Sequence, residues 1–141
     1  MKSLKIGLCG LGTVAQGVLK VLDENQQNIS ARAGRDIQVT RVASRTAKPQ
    51  VDLLGGRFST DLNDVIEADD VAVVVEMIGG EDTALDVVRR SFEAGKSVVT
   101  ANKAVIAVHG NELLALAEKQ QVAFGFEAAV AGAIPIIASL T

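Results

Sequence analysis

The residues with chemical potential fall in a few short groups. Gly10-Leu11-Gly12-Thr13-Val14-Ala15 joins an apolar, β-branched run to a stretch with helical spacing. Arg45 and Lys48 follow a second apolar run, while Gly79-Gly80 and Thr100-Ala101-Asn102-Lys103 follow two more. Glu127 stands in an otherwise apolar stretch. A G-x-G-x-x-A turn between strand and helix suits a diphosphate. Its first glycine makes the tight turn, its second lets a phosphate meet backbone without a Cβ, and its last position needs only a small residue where helix meets strand. The helix start adds free N–H groups and roughly half a positive charge. The β-α-β setting favours nucleotide binding over a turn that merely reverses the chain.

The second group bears on which nucleotide. A carboxylate at the end of the second strand would bind the ribose 2′-hydroxyl of NAD, and an arginine would accommodate the 2′-phosphate of NADP. Here the sequence reads Val42-Ala43-Ser44-Arg45, with Lys48 close behind and no carboxylate. Charge-assisted hydrogen bonds contribute about 1.5–3 kcal/mol, so NADP is preferred roughly 10- to 100-fold and NAD is possible; otherwise Arg45 and Lys48 are solvated loop charges. Lys103 could bind a substrate oxygen, or transfer a proton if a cationic ring lowers its pKa. Otherwise it is a surface lysine at a helix start. An isolated buried carboxylate needs a cation or N–H donors, yet spacing alone reads Glu127 as capping a turn. Cys9 reads as a buried thiol and His109 as a helix-start histidine, both structural.

These groups must be held by alternating strands and helices. Strands are expected at Leu4–Cys9, Ile37–Ala43, weakly at Arg57–Ser59, then at Val71–Val75, Ser97–Thr100 and Val122–Phe126. Val14, Val18, Val21 and Leu22 mark the first helix, with Gly34 as its stop. A short helix at Leu62–Ala68 would be capped by Thr60 or Asp61. Leu85, Val88 and Phe92 mark another, stopped by Gly95. Leu113, Leu116 and Ala117 mark the last, with Asn111 as N-cap. Val71 to Val75 is apolar on both faces, as a strand inside a parallel sheet must be. The expected fold is α/β: a Rossmann-type, doubly wound, mostly parallel sheet with helices on both faces.

Composition narrows the function. The 141 residues are 48% hydrophobic and 22% charged, the balance of one globular domain. A net charge of -3 and the absence of Trp and Tyr argue against nucleic-acid binding. The single cysteine excludes an intrachain disulfide and a cysteine-cluster zinc site. No signal peptide or membrane span is evident, so the expected location is cytoplasmic. The apolar tail from Ala128 to Thr141 either opens a further part of a larger protein or completes this domain's own core.

In order along the chain, Gly10-Leu11-Gly12-Thr13-Val14, Val75-Glu76-Met77-Ile78-Gly79-Gly80, Val99-Thr100-Ala101-Asn102-Lys103-Ala104 and Phe126-Glu127-Ala128-Ala129-Val130-Ala131-Gly132-Ala133-Ile134-Pro135 resemble the successive signatures of homoserine dehydrogenase. The resemblance implies NAD(P)-dependent interconversion of L-homoserine and L-aspartate 4-semialdehyde in threonine, methionine and isoleucine biosynthesis. It places Leu11, Gly12, Thr13 and Val14 at the diphosphate and Arg45 at the 2′-phosphate. Thr100 would lie by the nicotinamide, and Lys103 at the catalytic junction of cofactor and substrate. It implies a monovalent cation, usually sodium, held by Glu127 and the carbonyls of Val130, Gly132 and Ile134, although Ala131 and Ala133 stand where the family often has glycine. Residues 1–130 would form the NAD(P)-binding domain and 131–141 the start of a substrate and dimerisation domain. The partners implied are a small-molecule substrate and, for the full-length enzyme, a second copy. Alternatives are a non-catalytic NAD(P)-sensing module, which needs no reactive lysine, or another sugar or amino-acid dehydrogenase. Several of the latter carry Glu-Lys-Pro where Asn102-Lys103-Ala104 stands. An S-adenosylmethionine-binding domain would prefer an acidic residue at Ser44-Arg45.

Overall fold

Six short runs become six parallel strands in the computed structural model, which describes residues 3–24 and 36–126. The strands are β1 (Leu4–Cys9), β2 (Ile37–Ala43), β3 (Arg57–Ser59), β4 (Val73–Glu76), β5 (Ser97–Thr100) and β6 (Phe124–Phe126). Their spatial order is β3-β2-β1-β4-β5-β6, with every neighbour pair parallel. This is the doubly wound Rossmann order, in which the chain reverses its direction of winding between β1 and β4. The helices are α1 (Thr13–Glu24), α2 (Asn63–Ile66), α3 (Asp82–Glu93) and α4 (Lys103–Lys119).

Alternation within the strands divides the core in two. Ile6, Leu8, Val73, Val75 and Val99 face the apolar side of α1, formed by Ala15, Val18, Leu19 and Leu22. Cys9, Val74 and Val98 point the other way, towards Val65 of α2, Val87, Val88 and Phe92 of α3, and Leu113 of α4. Helices thus cover both faces, which is why the central strands carry no polar alternation. Phe92 is fully buried and meets Phe124 edge-to-face, with centroids 5.3 Å apart. Below the sheet, Lys96 donates to the carbonyls of Ala68 and Val71 at 2.7 and 2.8 Å. Its burial depresses the ammonium pKa.

Several expected boundaries move. The fourth strand begins at Val73, not Val71, and takes in Glu76; the sixth begins at Phe124, not Val122. The short helix spans only Asn63–Ile66, and its N-cap position is Leu62, without a side-chain cap. Asp61 acts one residue earlier, accepting the Asn63 N–H at 2.9 Å. The largest correction concerns α4, which starts at Lys103 with Asn102 as its N-cap. The Asn102 side-chain oxygen accepts the Val105 N–H at 3.1 Å, a stronger start than Asn111 can offer inside a helix. The β-branched residues Val105, Ile106 and Val108, together with Gly110, weaken the helical signal here. His109 therefore lies inside α4 rather than at its start. The expected stop at Gly34 and the tail from Ala128 to Thr141 lie outside the described residues.

Cys9 is fully buried at the end of β1. Burial, with the nearby Glu76 charge second, pushes its thiol pKa up to about 12. Near pH 8 such a thiol is ionised in only about one molecule in 10,000. Labelling of the native chain by a chromogenic disulfide reagent is expected to be at least ~100-fold slower than in denaturant; equal rates would show Cys9 to be open to solvent.

Candidate functional site

The site forms where the reversal between β1 and β4 leaves a crevice outside the carboxyl ends of the strands, the place where this fold binds ligands. A hollow of about 430 Å³ lies there, lined by Gly10, Leu11 and Gly12 after β1, Ser44 and Arg45 after β2, and Met77, Ile78 and Gly79 after β4. A second hollow of about 290 Å³ shares the Met77–Gly79 wall and runs past Val14 and Gly80 to Ala101, Asn102 and Lys103 after β5.

The turn after β1 is fixed by close approach. Gly10 has φ +105°, and a Cβ there would come within 2.7 Å of the Met77 carbonyl oxygen. Only glycine meets both conditions. The Gly10 N–H donates to the Ala43 carbonyl and the Met77 N–H to the Cys9 carbonyl, each at 2.8 Å. Gly12 is the opposite case, because a Cβ there would meet nothing within 4 Å. Its missing side chain leaves open space beside the first turn of α1. That turn carries no acidic residue, and the first N–H groups of a helix have no partner within it. Ala15, at the third fingerprint position, is completely buried between helix and sheet. A diphosphate therefore fits the residues present: bare backbone, a helix N-terminus and no opposing charge.

The two cations after β2 have separate positions. Arg45 is exposed on the wall of the larger hollow. Lys48 does not line it; its ammonium donates to the Leu11 carbonyl at 2.8 Å. The Gln16 side chain donates to the same carbonyl at 3.1 Å, so the turn is held from two directions.

At the other end, Lys103 is exposed in the first turn of α4, on the wall of the smaller hollow. Thr100 is fully buried beneath it. The Thr100 hydroxyl donates to Glu76 Oε1 at 2.5 Å and accepts the Asn102 N–H at 3.0 Å. Glu76 is equally buried, and its Oε2 accepts the Ile78 N–H at 2.7 Å. Burial raises the pKa of this carboxyl, against the lowering pull of the Thr100 hydroxyl and Ile78 N–H. The Asn102 amide donates to the Ile78 carbonyl at 3.2 Å and also to that of Gly80. His109 Nε2 lies 2.9 Å from Glu81 Oε1, just beyond the same loop.

Of the residues singled out in the sequence, Gly10, Leu11, Gly12, Arg45 and Gly79 thus meet in one hollow and Val14, Gly79 and Lys103 in the next. Thr13 opens α1 on the exposed side of the turn and lines neither hollow. Glu127, Val130, Gly132 and Ile134, expected to hold a cation, lie outside the described residues. Among the described residues no group of three or more His, Cys, Asp or Glu is placed to hold a metal. Sequence reasoning gave no role to Glu76, Met77, Ile78 or Asn102. For Glu76 the missed signal was a lone carboxylate ending an apolar run.

Comparison with known proteins agrees with this geometry. The profile of the family described as homoserine dehydrogenase, NAD binding domain, matches residues 10–127. A homoserine dehydrogenase of Pseudomonas aeruginosa is 48% identical over 99% of the chain and 32% of that protein. A homoserine dehydrogenase of Bacillus subtilis is 39% identical over 99% of the chain and 33% of that protein. The crystal structure of a homoserine dehydrogenase from Thiobacillus denitrificans superposes with a TM-score of 0.85 at 44% identity, covering 92% of this chain and 30% of that one. The chain spans about a third of the length of these relatives. With that profile matched across both hollows, the chain belongs to the homoserine dehydrogenase NAD-binding domain family.

Proposed function

We propose that this chain is the cofactor-holding part of an enzyme that interconverts L-homoserine and L-aspartate 4-semialdehyde, with NADP preferred over NAD. The bare Gly12 turn, open towards the crevice beside the α1 N-terminus, carries this reading. The turn and the first N–H groups of α1 bind the diphosphate, with Leu11, Thr13 and Val14 around it. The Lys48 ammonium stiffens the turn through the Leu11 carbonyl and adds positive charge nearby. Arg45 takes the 2′-phosphate. At the far end, Gly79, Gly80, Ala101 and Asn102 form a wall with no charged side chain, and Lys103 supplies the one cation of that hollow's lining. When bound, a nicotinamide dinucleotide supplies a hydride donor or acceptor. Lys103 Nζ holds positive charge against the substrate oxygen and moves its proton. Buried Thr100 contributes by fixing the loop that carries Lys103.

The remaining two-thirds of the parent protein supplies the substrate and dimerisation domain, with residues 131–141 as its first part and 1–130 as the cofactor domain. A groove of about 440 Å³ between α4 and β6 supports a covering partner. Val108, Leu114 and Phe126 in its lining are the large hydrophobic side chains left exposed among the described residues. Glu127, Val130, Gly132 and Ile134 would hold a sodium ion at this junction. The assembled enzyme would be a cytoplasmic homo-oligomer acting on a small molecule in threonine, methionine and isoleucine biosynthesis. Among the described residues no helix is long and apolar enough to cross a membrane.

Titration of NADPH fluorescence with the 141-residue chain tests the binding site. Gly12→Val, which fills the open space, is expected to weaken NADPH by at least ~10-fold. Arg45→Ala is expected to weaken NADPH roughly 10- to 100-fold, the equivalent of a charge-assisted hydrogen bond, and to leave NADH within about twofold. Equal losses for the two nucleotides would remove Arg45 from the 2′-phosphate. In the full-length enzyme, Lys103→Ala is expected to lower kcat about 10²- to 10⁴-fold without changing NADPH affinity, whereas a nucleotide-sensing module would lose nothing. The 141-residue chain alone should show no homoserine oxidation.

A further inference from the structure

The most unusual group outside the lining of the two hollows is Glu76. It is a fully buried carboxylate at the end of a strand whose other residues are all valine. Sheet register sets it directly between Cys9 of β1 and Thr100 of β5. A buried carboxylate is costly unless its oxygens are satisfied. Here each oxygen has one donor, one from the end of β5 and one from the loop after β4. Oε1 takes the Thr100 hydroxyl at 2.5 Å, and Oε2 takes the Ile78 N–H at 2.7 Å. Thr100 Oγ1 in turn accepts the Asn102 N–H at 3.0 Å, and the Asn102 amide returns to the Ile78 carbonyl at 3.2 Å.

The bonds close a ring: Glu76, Thr100, Asn102, Ile78 and back to Glu76. The ring joins the loop after β4 to the loop after β5. Both loops line the smaller hollow, and Lys103 follows Asn102 directly. None of the ring's bonds touches the Gly10–Gly12 turn, which is held by Lys48, Gln16 and backbone bonds. The two halves of the site share the Met77–Gly79 wall but are tied down by different bonds.

We propose that Glu76 is a positioning residue for the reaction. Its carboxylate clasps the Met77–Gly80 and Ala101–Lys103 loops together, setting the shape of the nicotinamide half of the site and the place of Lys103, while the Gly10–Gly12 turn that takes the diphosphate is held by bonds of its own. The proposal rests on the cofactor reading above. A glutamine cannot replace the carboxylate. It can accept at one atom only, so either the Ile78 N–H faces an amide N–H or the Thr100 proton loses its acceptor.

Two probes separate the halves: NADPH, and 2′-phospho-ADP-ribose, which lacks the nicotinamide. With Glu76→Gln in the 141-residue chain, NADPH affinity is expected to fall roughly tenfold, as when one or two hydrogen bonds holding a loop are lost. The affinity for 2′-phospho-ADP-ribose should stay within about twofold. Thr100→Val, nearly isosteric, should reproduce this split, and it carries the test if Glu76→Gln does not fold. Thr100→Ser, which keeps the hydroxyl, should restore NADPH binding. The Glu76→Gln/Thr100→Val double variant should be no weaker than either single one, because both break the same ring. Equal losses for both probes, or a lowered melting temperature with both affinities intact, would reduce Glu76 to a structural residue and overturn the proposal. An unaltered chain that binds neither probe would overturn the cofactor reading along with it.

Discussion

The Gly10 backbone and the Met77 carbonyl approach so closely that no side chain can stand between them. That contact decides how near the loop after β1 comes to the loop after β4. The Met77 N–H to Cys9 carbonyl and Gly10 N–H to Ala43 carbonyl bonds hold the same spacing on either side. Because the winding of the sheet reverses here, the helices diverge above these loops and leave a crevice. The crevice is narrow at its floor, where the backbones touch, and open at Gly12. A larger residue at position 10 would need both a left-handed backbone and a displaced β4 loop, so the turn and the crevice share one requirement.

The crevice is built by two kinds of force along its length. Around the diphosphate turn, the important features are space and dipoles: bare backbone, a helix start without carboxylates, and a lysine bound to a peptide oxygen. Beyond Met77, buried side-chain hydrogen bonds take over. Glu76, Thr100 and Asn102 lie in a low-dielectric interior, where satisfied bonds gain strength and unsatisfied ones are costly. Such a network tolerates few arrangements, which suits a region that must hold a lysine in one place.

Much of the fold is legible in the sequence for a simple physical reason. Short β-branched and apolar runs bounded by turn residues mark the inner strands, so β1, β2 and β5 emerge with their observed limits, and even short β3 does. The glycine turn is legible because its requirements are local. Helix α4 is less so: Ile106, Val108 and Leu114 add apolar residues away from the buried face, and only Val105, Leu113 and Ala117 are buried. Its true start depends on Asn102, whose capping role is visible only once Val105 is known to be helical. The Glu76 ring is the least legible feature. It joins residues 24 apart through the register of β4 against β5, and no local pattern encodes that register.

The same distinction applies to the two cations after β2. In the sequence Arg45 and Lys48 are two neighbouring cations, and only the resemblance gives the phosphate to Arg45. In the fold they differ in kind. Lys48 spends its charge on the Leu11 carbonyl, 37 positions away, so it belongs to the turn. Arg45 is exposed on the rim, in the hollow that also holds Ser44 and Thr60. A guanidinium there keeps its donors for an incoming anion, whereas an ammonium already bound to a carbonyl would have to give up that bond to do the same. Discrimination at the adenosine end, on the reading proposed above, therefore falls to Arg45, while Lys48 acts equally on any dinucleotide by stiffening the turn they share.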